Sequence, residues 1–272
     1  MWIGSPLRGV FRLLTYVLLT LVLLPFQLLA IALNLRPVVR WLPVFYHRAV
    51  CIVLGIRVRV HGRQSLVTPT LYVCNHISYL DIEVLGGMVP GSFVAKAEVA
   101  GWPFFGWLAK AQRTIFIERR ASATSSSRDE MLIRLNTGDN LMLFPEGTSS
   151  DGNRVLPFRS ALFAVAQMRR DDKPIRVQPV AVAYTRLDGI PLGRYWRPLF
   201  AWYGDSDLLP HLWQMVCLGE TEAVVTFFDP VDFDQFSDRK RMAEYCFNQV
   251  SFGLQEANAG RYESLPALAG KA

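Results

Sequence analysis

The pattern of apolar and polar positions divides the chain into two unlike parts. From Leu13 to Leu35 no residue is charged: LLTYVLLTLVLLPFQLLAIALNL. A run of that length can cross a bilayer. Pro25 within it predicts a kink or break, and arginines on both sides leave the orientation open. Three arrangements compete. They are a single spanning helix, a helix broken at Pro25 that dips in and returns, and a signal peptide cleaved near AIA (30–32), although the run exceeds an ordinary signal core. The next stretch, VVRWLPVFYHRAVCIVLGIRVRV (38–60), mixes aliphatic, aromatic and arginine residues. It reads equally well as the start of an interfacial helix or as a core helix followed by a strand, IRVRVHG.

Beyond residue 60 short apolar runs alternate with helical patterns. TLYVC (70–74), SFVAK (92–96), TIFIE (114–118), NLMLF (140–144), VQPVAVAY (177–184) and AVVTFF (223–228) predict strands. Ser127 and Glu130 form a capping-box pattern that opens a helix, with Gly138 placed to end it. PFRSALFAVAQMRR (157–170) predicts another helix, with two arginines in its last turn. Such alternation predicts an α/β domain with a parallel or mixed sheet. Ligands collect at the carboxyl ends of strands in such sheets. Asn75 and His76 follow one predicted strand, Glu118 and Arg119 lie at the end of another, and Pro145, Glu146 and Gly147 follow a third.

Charge sharpens the division. Asp81 is the first acidic residue, and eight arginines precede it; from there on the chain carries 21 basic and 23 acidic groups. A basic, acid-free, apolar N-terminal part points to an anionic membrane surface rather than nucleic acid, because the arginines punctuate aliphatic runs. Cys51, Cys74, Cys217 and Cys246 lack metal-like spacing and read as reduced packing residues. The pattern gives anchoring or interfacial helices over 1–60, an α/β unit over 61–258 and a loosely ordered tail over 259–272.

Candidate chemistry concentrates in three places. In CNHISYLD (74–81) a histidine on a turn has an aspartate that can reach back from the first turns of a helix. A carboxylate on one imidazole nitrogen fixes the tautomer and stabilises the imidazolium, as a general base requires. FPEGTSSDG (144–152) places backbone N–H groups and hydroxyls around a concavity suited to an anion. FIERR (116–120) offers an arginine at a strand end for a phosphate or carboxylate. Taken singly, each also reads as an ordinary histidine, turn or basic edge.

Together, in this order, they resemble the 1-acylglycerol-3-phosphate acyltransferase (PlsC-like) family of glycerolipid acyltransferases. NHISYLD matches its Asn-His and Asp block, FVAKAEVAGWPFFG (93–106) its Lys-x-Glu and Pro-x-x-Gly block, and FIERR its phosphate-binding block. FPEGTSS matches its Pro-Glu-Gly-Thr block, and VQPVAV (177–182) its late Val-x-Pro-Val strand. The match covers roughly residues 70 to 185.

The resemblance implies the glycerolipid acyltransferase αβ fold with a mixed sheet, preceded by an N-terminal membrane-associated helical segment. It implies His76 as base, oriented by Asp81, deprotonating a lyso-lipid hydroxyl that attacks acyl-CoA or acyl carrier protein directly. No acyl-enzyme, cofactor or metal is implied, and the chain has no Gly-x-Ser-x-Gly elbow. Lys96, Arg119, Glu146, Gly147 and Thr148 are the implied substrate-binding positions, with Arg159 a weaker candidate. The implied site is the inner membrane, with the active site facing the cytoplasm.

Two departures matter. Glu118 stands where the family more often has Asp. Ser149 stands where many phosphatidate-forming members have Arg, which weakens the case for a phosphate headgroup. This loop and AWYGDSDLLPHLW (201–213) look like the lyso-ornithine lipid acyltransferase branch. Phosphatidate formation is the first expectation and ornithine lipid formation the second; a non-catalytic lipid binder or a thioester hydrolase is the remaining alternative. Asp205 and Asp207 are possible partners for a cationic headgroup, although packing is the preferred reading of that segment.

Overall fold

A computed structural model describes residues 3–117, 124–170 and 172–262. Two long helices come first, α1 (Pro6–Ala32) and α2 (Arg36–Leu54). Contrary to the break expected at Pro25, α1 runs through it. Proline removes one hydrogen bond, to the carbonyl four residues back, and the flanking aliphatic turns carry the helix across. The chain reverses later, at Leu33–Leu35, where Asn34 takes φ 53°. Asparagine tolerates that left-handed conformation better than most residues. Thr20 meets Tyr46, and the Gln27 amide donates to Val39 O, so the helices form an antiparallel hairpin.

The hairpin lies along the rest of the protein. At its start Ser5 N donates to Cys217 O, and Arg12 reaches Leu218 O at 2.8 Å. Near its turn Gln27 Nε2 donates to Ala111 O at 3.0 Å. From α2, His47 pairs through Nδ1 with Glu83 Oε2 at 2.7 Å and through Nε2 with Gln112 at 3.2 Å. Gly86 permits this approach, because a Cβ there would sit 2.5 Å from the His47 ring. Leu7, Phe11, Leu14, Leu18 and Leu21 remain exposed. Their alternating spacing of four and three makes one helical stripe.

The elements that follow are β1 (Ile56–His61), β2 (Thr70–Cys74), α3 (Leu80–Gly86), β3 (Gly91–Lys96), α4 (Phe105–Ala111), β4 (Ile115–Ile117), α5 (Thr124–Asn136) and β5 (Asn140–Leu143). Next come β6 (Arg169–Arg170), β7 (Lys173–Pro174), β8 (Arg176–Leu187), β9 (Ile190–Pro191), α6 (Leu208–Cys217), β10 (Thr221–Phe227), β11 (Val231–Asp232) and α7 (Arg239–Asn258). The main sheet runs β1-β10-β8-β2-β5-β3-β4, with β9 and β11 on β8. β8, β2, β5, β3 and β4 are mutually parallel, and β10 is antiparallel to β8. The fold is therefore mixed α/β with a mixed sheet.

All five positions of β2 are buried. Leu71 and Val73 join one core, Tyr72 and Cys74 the other. A strand covered on both faces reads as a continuous apolar run, which is why TLYVC was legible.

Two expectations are corrected. α5 begins at Thr124, so Ser127 lies within the helix rather than capping it. Residues 157–170 do not form one α-helix. A 3₁₀ helix occupies Ser160–Gln167 only, and Arg169 and Arg170 pair with Pro174 and Lys173 in a small antiparallel ladder. The Arg159 amide is drawn to Pro145 O, which holds the start of the segment extended. All four cysteines are free and buried.

Candidate active site

The parallel strands bring their carboxyl ends to one edge, and β2 and β5 are neighbours there. The β2 ladder continues through a side chain. Asn75 Nδ2 donates to Val182 O at 2.9 Å, and Asn75 Oδ1 accepts from Val182 N at 2.8 Å. This amide does the work of one more backbone pair and anchors the turn that carries His76.

On that turn, His76 Nδ1 lies 2.8 Å from Asp81 Oδ2. Asp81 is fully buried at the start of α3. Its Oδ2 also accepts from Ile77 N at 2.7 Å and Ser78 N at 3.0 Å, and Oδ1 accepts from Tyr184 Oη at 2.9 Å. The aspartate thus binds the turn and the ring at once. Burial, and then the Asp81 charge, push the Tyr184 phenol well above its usual range, so its O–H stays a donor. The His76 ring stacks on Phe144 with centroids 4.3 Å apart. Its side chain is 22% exposed, and Nε2 makes no hydrogen bond among the described residues. One nitrogen is fixed and the other is open, the arrangement a general base needs.

The Pro-Glu-Gly loop lies against this turn. Glu146 is buried; Oε1 accepts from His76 N and Oε2 from Leu156 N, each at 2.7 Å. Both oxygens are therefore occupied by backbone, and Glu146 ties the loop to the His76 turn. Burial pushes its carboxyl up to about 8, outweighing the two N–H donors that favour the ionised form. Gly147 has φ 69°, and a Cβ there would lie 2.9 Å from the Arg159 guanidinium. The left-handed conformation calls for glycine, while the Arg159 side chain could move aside.

A pH-dependent stability follows. The folded pKa of Glu146 lies above its ordinary value of 4.5. Its contribution is therefore full below that value and declines as pH rises toward 8. Glu146→Gln removes this dependence and sets an amide donor against one backbone N–H, costing about 1–3 kcal/mol. The Tm gap between wild type and variant is expected to narrow as pH rises toward about 8. A gap constant with pH contradicts this assignment.

The other anticipated residues are placed unequally. Lys96 ends β3, opposite Ile117 of β4. Arg119 and Glu118 lie outside the described residues. Thr148 is exposed on the loop, and Ser149 Oγ donates to Trp202 O. Trp202 N in turn donates to Ile77 O at 3.0 Å. The 201–213 segment therefore packs against the site turns, with Asp205 and Asp207 exposed. Burial lowers the His211 pKa and keeps the ring neutral, so Nδ1 can accept from Tyr79 Oη at 3.0 Å.

Beside the site an apolar cavity of about 170 Å³ opens between the hairpin and the sheet. Leu23 and Leu24 of α1, Leu42 of α2, and Ile82, Phe93 and Leu108 of the catalytic part line it. Phe93 stacks on Phe144, the ring that supports His76.

Sequence reasoning missed Tyr184, Phe144 and this cavity. A tyrosine at the end of a predicted buried strand is a signal only once β8 is known to lie beside β2.

Comparison with known proteins bears on the family and the fold. A family model described as Acyltransferase matches residues 57–183. The lyso-ornithine lipid O-acyltransferase of Rhizobium meliloti is 40% identical over 267 residues, covering 97% of this chain and 90% of that protein. The chain belongs to the acyltransferase family. The lyso-ornithine lipid O-acyltransferase of Brucella abortus is 45% identical over 249 residues, covering 90% of this chain and 93% of that protein. Among solved structures, PlsC of Thermotoga maritima, a 1-acyl-sn-glycerophosphate (LPA) acyltransferase, superposes with TM-score 0.64 at 19% identity. That likeness covers 92% of this chain and 97% of that one, and it concerns the fold.

Proposed function

We propose that this acyltransferase esterifies the free hydroxyl of a lyso-ornithine lipid, using an acyl thioester as donor. The observation that carries the reaction is the His76–Asp81 pair with its open Nε2. His76 Nε2 takes the proton of the acceptor hydroxyl. The oxygen attacks the thioester carbonyl, the C–S bond breaks, and the departing sulfur takes the proton back from the imidazolium. Asp81 stabilises the charge that forms on the ring between these events.

The acceptor assignment rests on two supports. The Rhizobium meliloti and Brucella abortus relatives, each matching at least nine-tenths of this chain, are named for lyso-ornithine lipid. Ser149 places a hydroxyl bound to Trp202 O where a phosphate-binding site would gain from a cation. This reverses the order of the two acceptors expected from sequence. Lysophosphatidate remains the second reading, because Lys96 and Arg119 are present for a phosphate.

In this reading the aliphatic lining of the cavity receives a fatty chain. The exposed stripe of α1 rests in one leaflet of the membrane. A helix docked on the protein both at Ser5 and at Gln27 is not free to cross a bilayer end to end, so we favour the returning hairpin, with the active site on the cytoplasmic side.

The test offers purified enzyme equal amounts of lyso-ornithine lipid and lysophosphatidate with a long-chain acyl thioester. Lyso-ornithine lipid is expected to be used at least about tenfold faster in kcat/KM, a difference worth about 1.4 kcal/mol. Preference for lysophosphatidate would replace the first reading by the second.

A further inference from the structure

Asp81 is held from two directions. Oδ2 accepts from the turn that follows β2, through His76 Nδ1, Ile77 N and Ser78 N. Oδ1 accepts from a different element, through Tyr184 Oη of β8 at 2.9 Å. Asp81 is 0% and Tyr184 2% exposed. Solvent does not reach Oδ1, so the protein supplies its donor.

The sheet sets that hydroxyl in place. Asn75 bonds both backbone groups of Val182, which fixes β8 against the His76 turn. Val182 and Tyr184 lie two apart on the strand and so share a face. Just past Tyr184 the pairing with β10 slips. Tyr184 opposes Ala223 and Arg186 opposes Glu222, which leaves Thr185 over. Such a bulge re-aims the side chains beside it and recurs next to active sites. The Tyr184 ring stacks on Phe200, with centroids 5.5 Å and planes 12° apart. Two residues on, Trp202 N donates to Ile77 O. The segment that clamps the phenol therefore also clamps the turn.

Packing alone does not account for a tyrosine here. Phenylalanine would fill the same place in the same core, and the hydroxyl bonds Asp81. Nor is it a second acid. Burial, and then the Asp81 charge, push the phenol well above its usual range, so it stays a donor throughout the cycle.

We infer that Tyr184 is a positioning residue for acyl transfer that acts through Asp81: its O–H fixes the second carboxylate oxygen and shares its charge, so that Oδ2 stays aligned on His76 Nδ1 while Nε2 takes and returns the proton. The inference rests on the general-base reading of His76. Pinned at both oxygens, the carboxylate does not swing as the ring gains and loses charge. Pinned at one, it swings, and the ring drifts from the line of transfer, where small displacements are costly.

Tyr184→Phe removes the hydroxyl and keeps the ring. Its kcat is expected to fall about tenfold with KM for both substrates unchanged, the pattern of an interaction felt in the transition state. A second readout needs no turnover. In the full chain in detergent with isotope-labelled histidine, the His76 Nδ1–H proton resonance is assigned by its loss in His76→Ala. Tyr184→Phe is expected to move it downfield, because the charge concentrates on Oδ2 and strengthens that bond. Tyrosine fluorinated beside the hydroxyl, placed at the Tyr184 position, is a stronger donor of nearly the same size and is expected to move it upfield. That substitution decides the matter alone should Tyr184→Phe unfold. Phe200→Leu loosens the stacking and keeps the hydroxyl; it is expected to lower Tm and leave the resonance in place. Wild-type kcat in Tyr184→Phe, or a resonance unmoved by both substitutions of Tyr184, would overturn the inference. So would a resonance that Phe200→Leu moves as far as Tyr184→Phe does, which would assign the effect to packing. Because the resonance is read without turnover, its failure is distinct from failure of the base reading, which His76→Ala tests.

Discussion

His76→Ala is expected to lower kcat by about 10³-fold while leaving the fold intact, because a positioned general base contributes roughly 10²–10⁴. The ring is partly exposed and makes one side-chain hydrogen bond, to Asp81. Its loss removes the Nδ1 donor and the stacking on Phe144, but Asp81 keeps Ile77 N, Ser78 N and Tyr184 Oη. The turn therefore remains tied. Equilibrium unfolding beside the rate assay checks both halves. A variant that keeps most of its activity would remove the base from the account, and one that unfolds would make the loss uninformative about chemistry.

Asp81→Asn separates charge from geometry. Oδ2 faces three donors and Oδ1 only the rotatable Tyr184 hydroxyl. An asparagine can therefore keep its oxygen toward the turn and set its amide against Tyr184, which can rotate to accept. Stability is expected to fall by only about 1–2 kcal/mol. The negative charge that offsets the imidazolium is lost outright, and kcat is expected to drop on the order of 10²–10³-fold. Rates and unfolding curves measured on one preparation decide the matter. A stability loss with activity retained would mean that Asp81 is a structural residue of the turn.

The sequence pattern carried far because the central strands are buried on both faces. TLYVC coincides with β2, and the histidine after it stands at a strand end as expected. The Asp81 reach from an early helical turn was legible too, since a pair five residues apart cannot meet on one helix face.

What the pattern could not show depends on which strands become neighbours. Glu146 holding His76 N, Asn75 extending a ladder to Val182, and Tyr184 bonding Asp81 all require β2 to lie between β5 and β8. Local rules also failed, and two places show why. Pro25 did not end α1, because one lost hydrogen bond is small against the rest of a long apolar helix. Arg159 stayed extended, because its amide bonds Pro145 O of the Pro-Glu-Gly loop. There a contact with the Pro-Glu-Gly loop shaped the segment more than helical periodicity did.

The central claim is direct transfer from thioester to hydroxyl, and thiol release measured with and without lyso-ornithine lipid tests it most directly. Thiol is expected only when acceptor is present, in step with the acylated lipid, and is expected to disappear in His76→Ala. Thiol released at the same rate without acceptor, with free fatty acid as the product, would contradict it and make the His76–Asp81 pair the centre of a hydrolase.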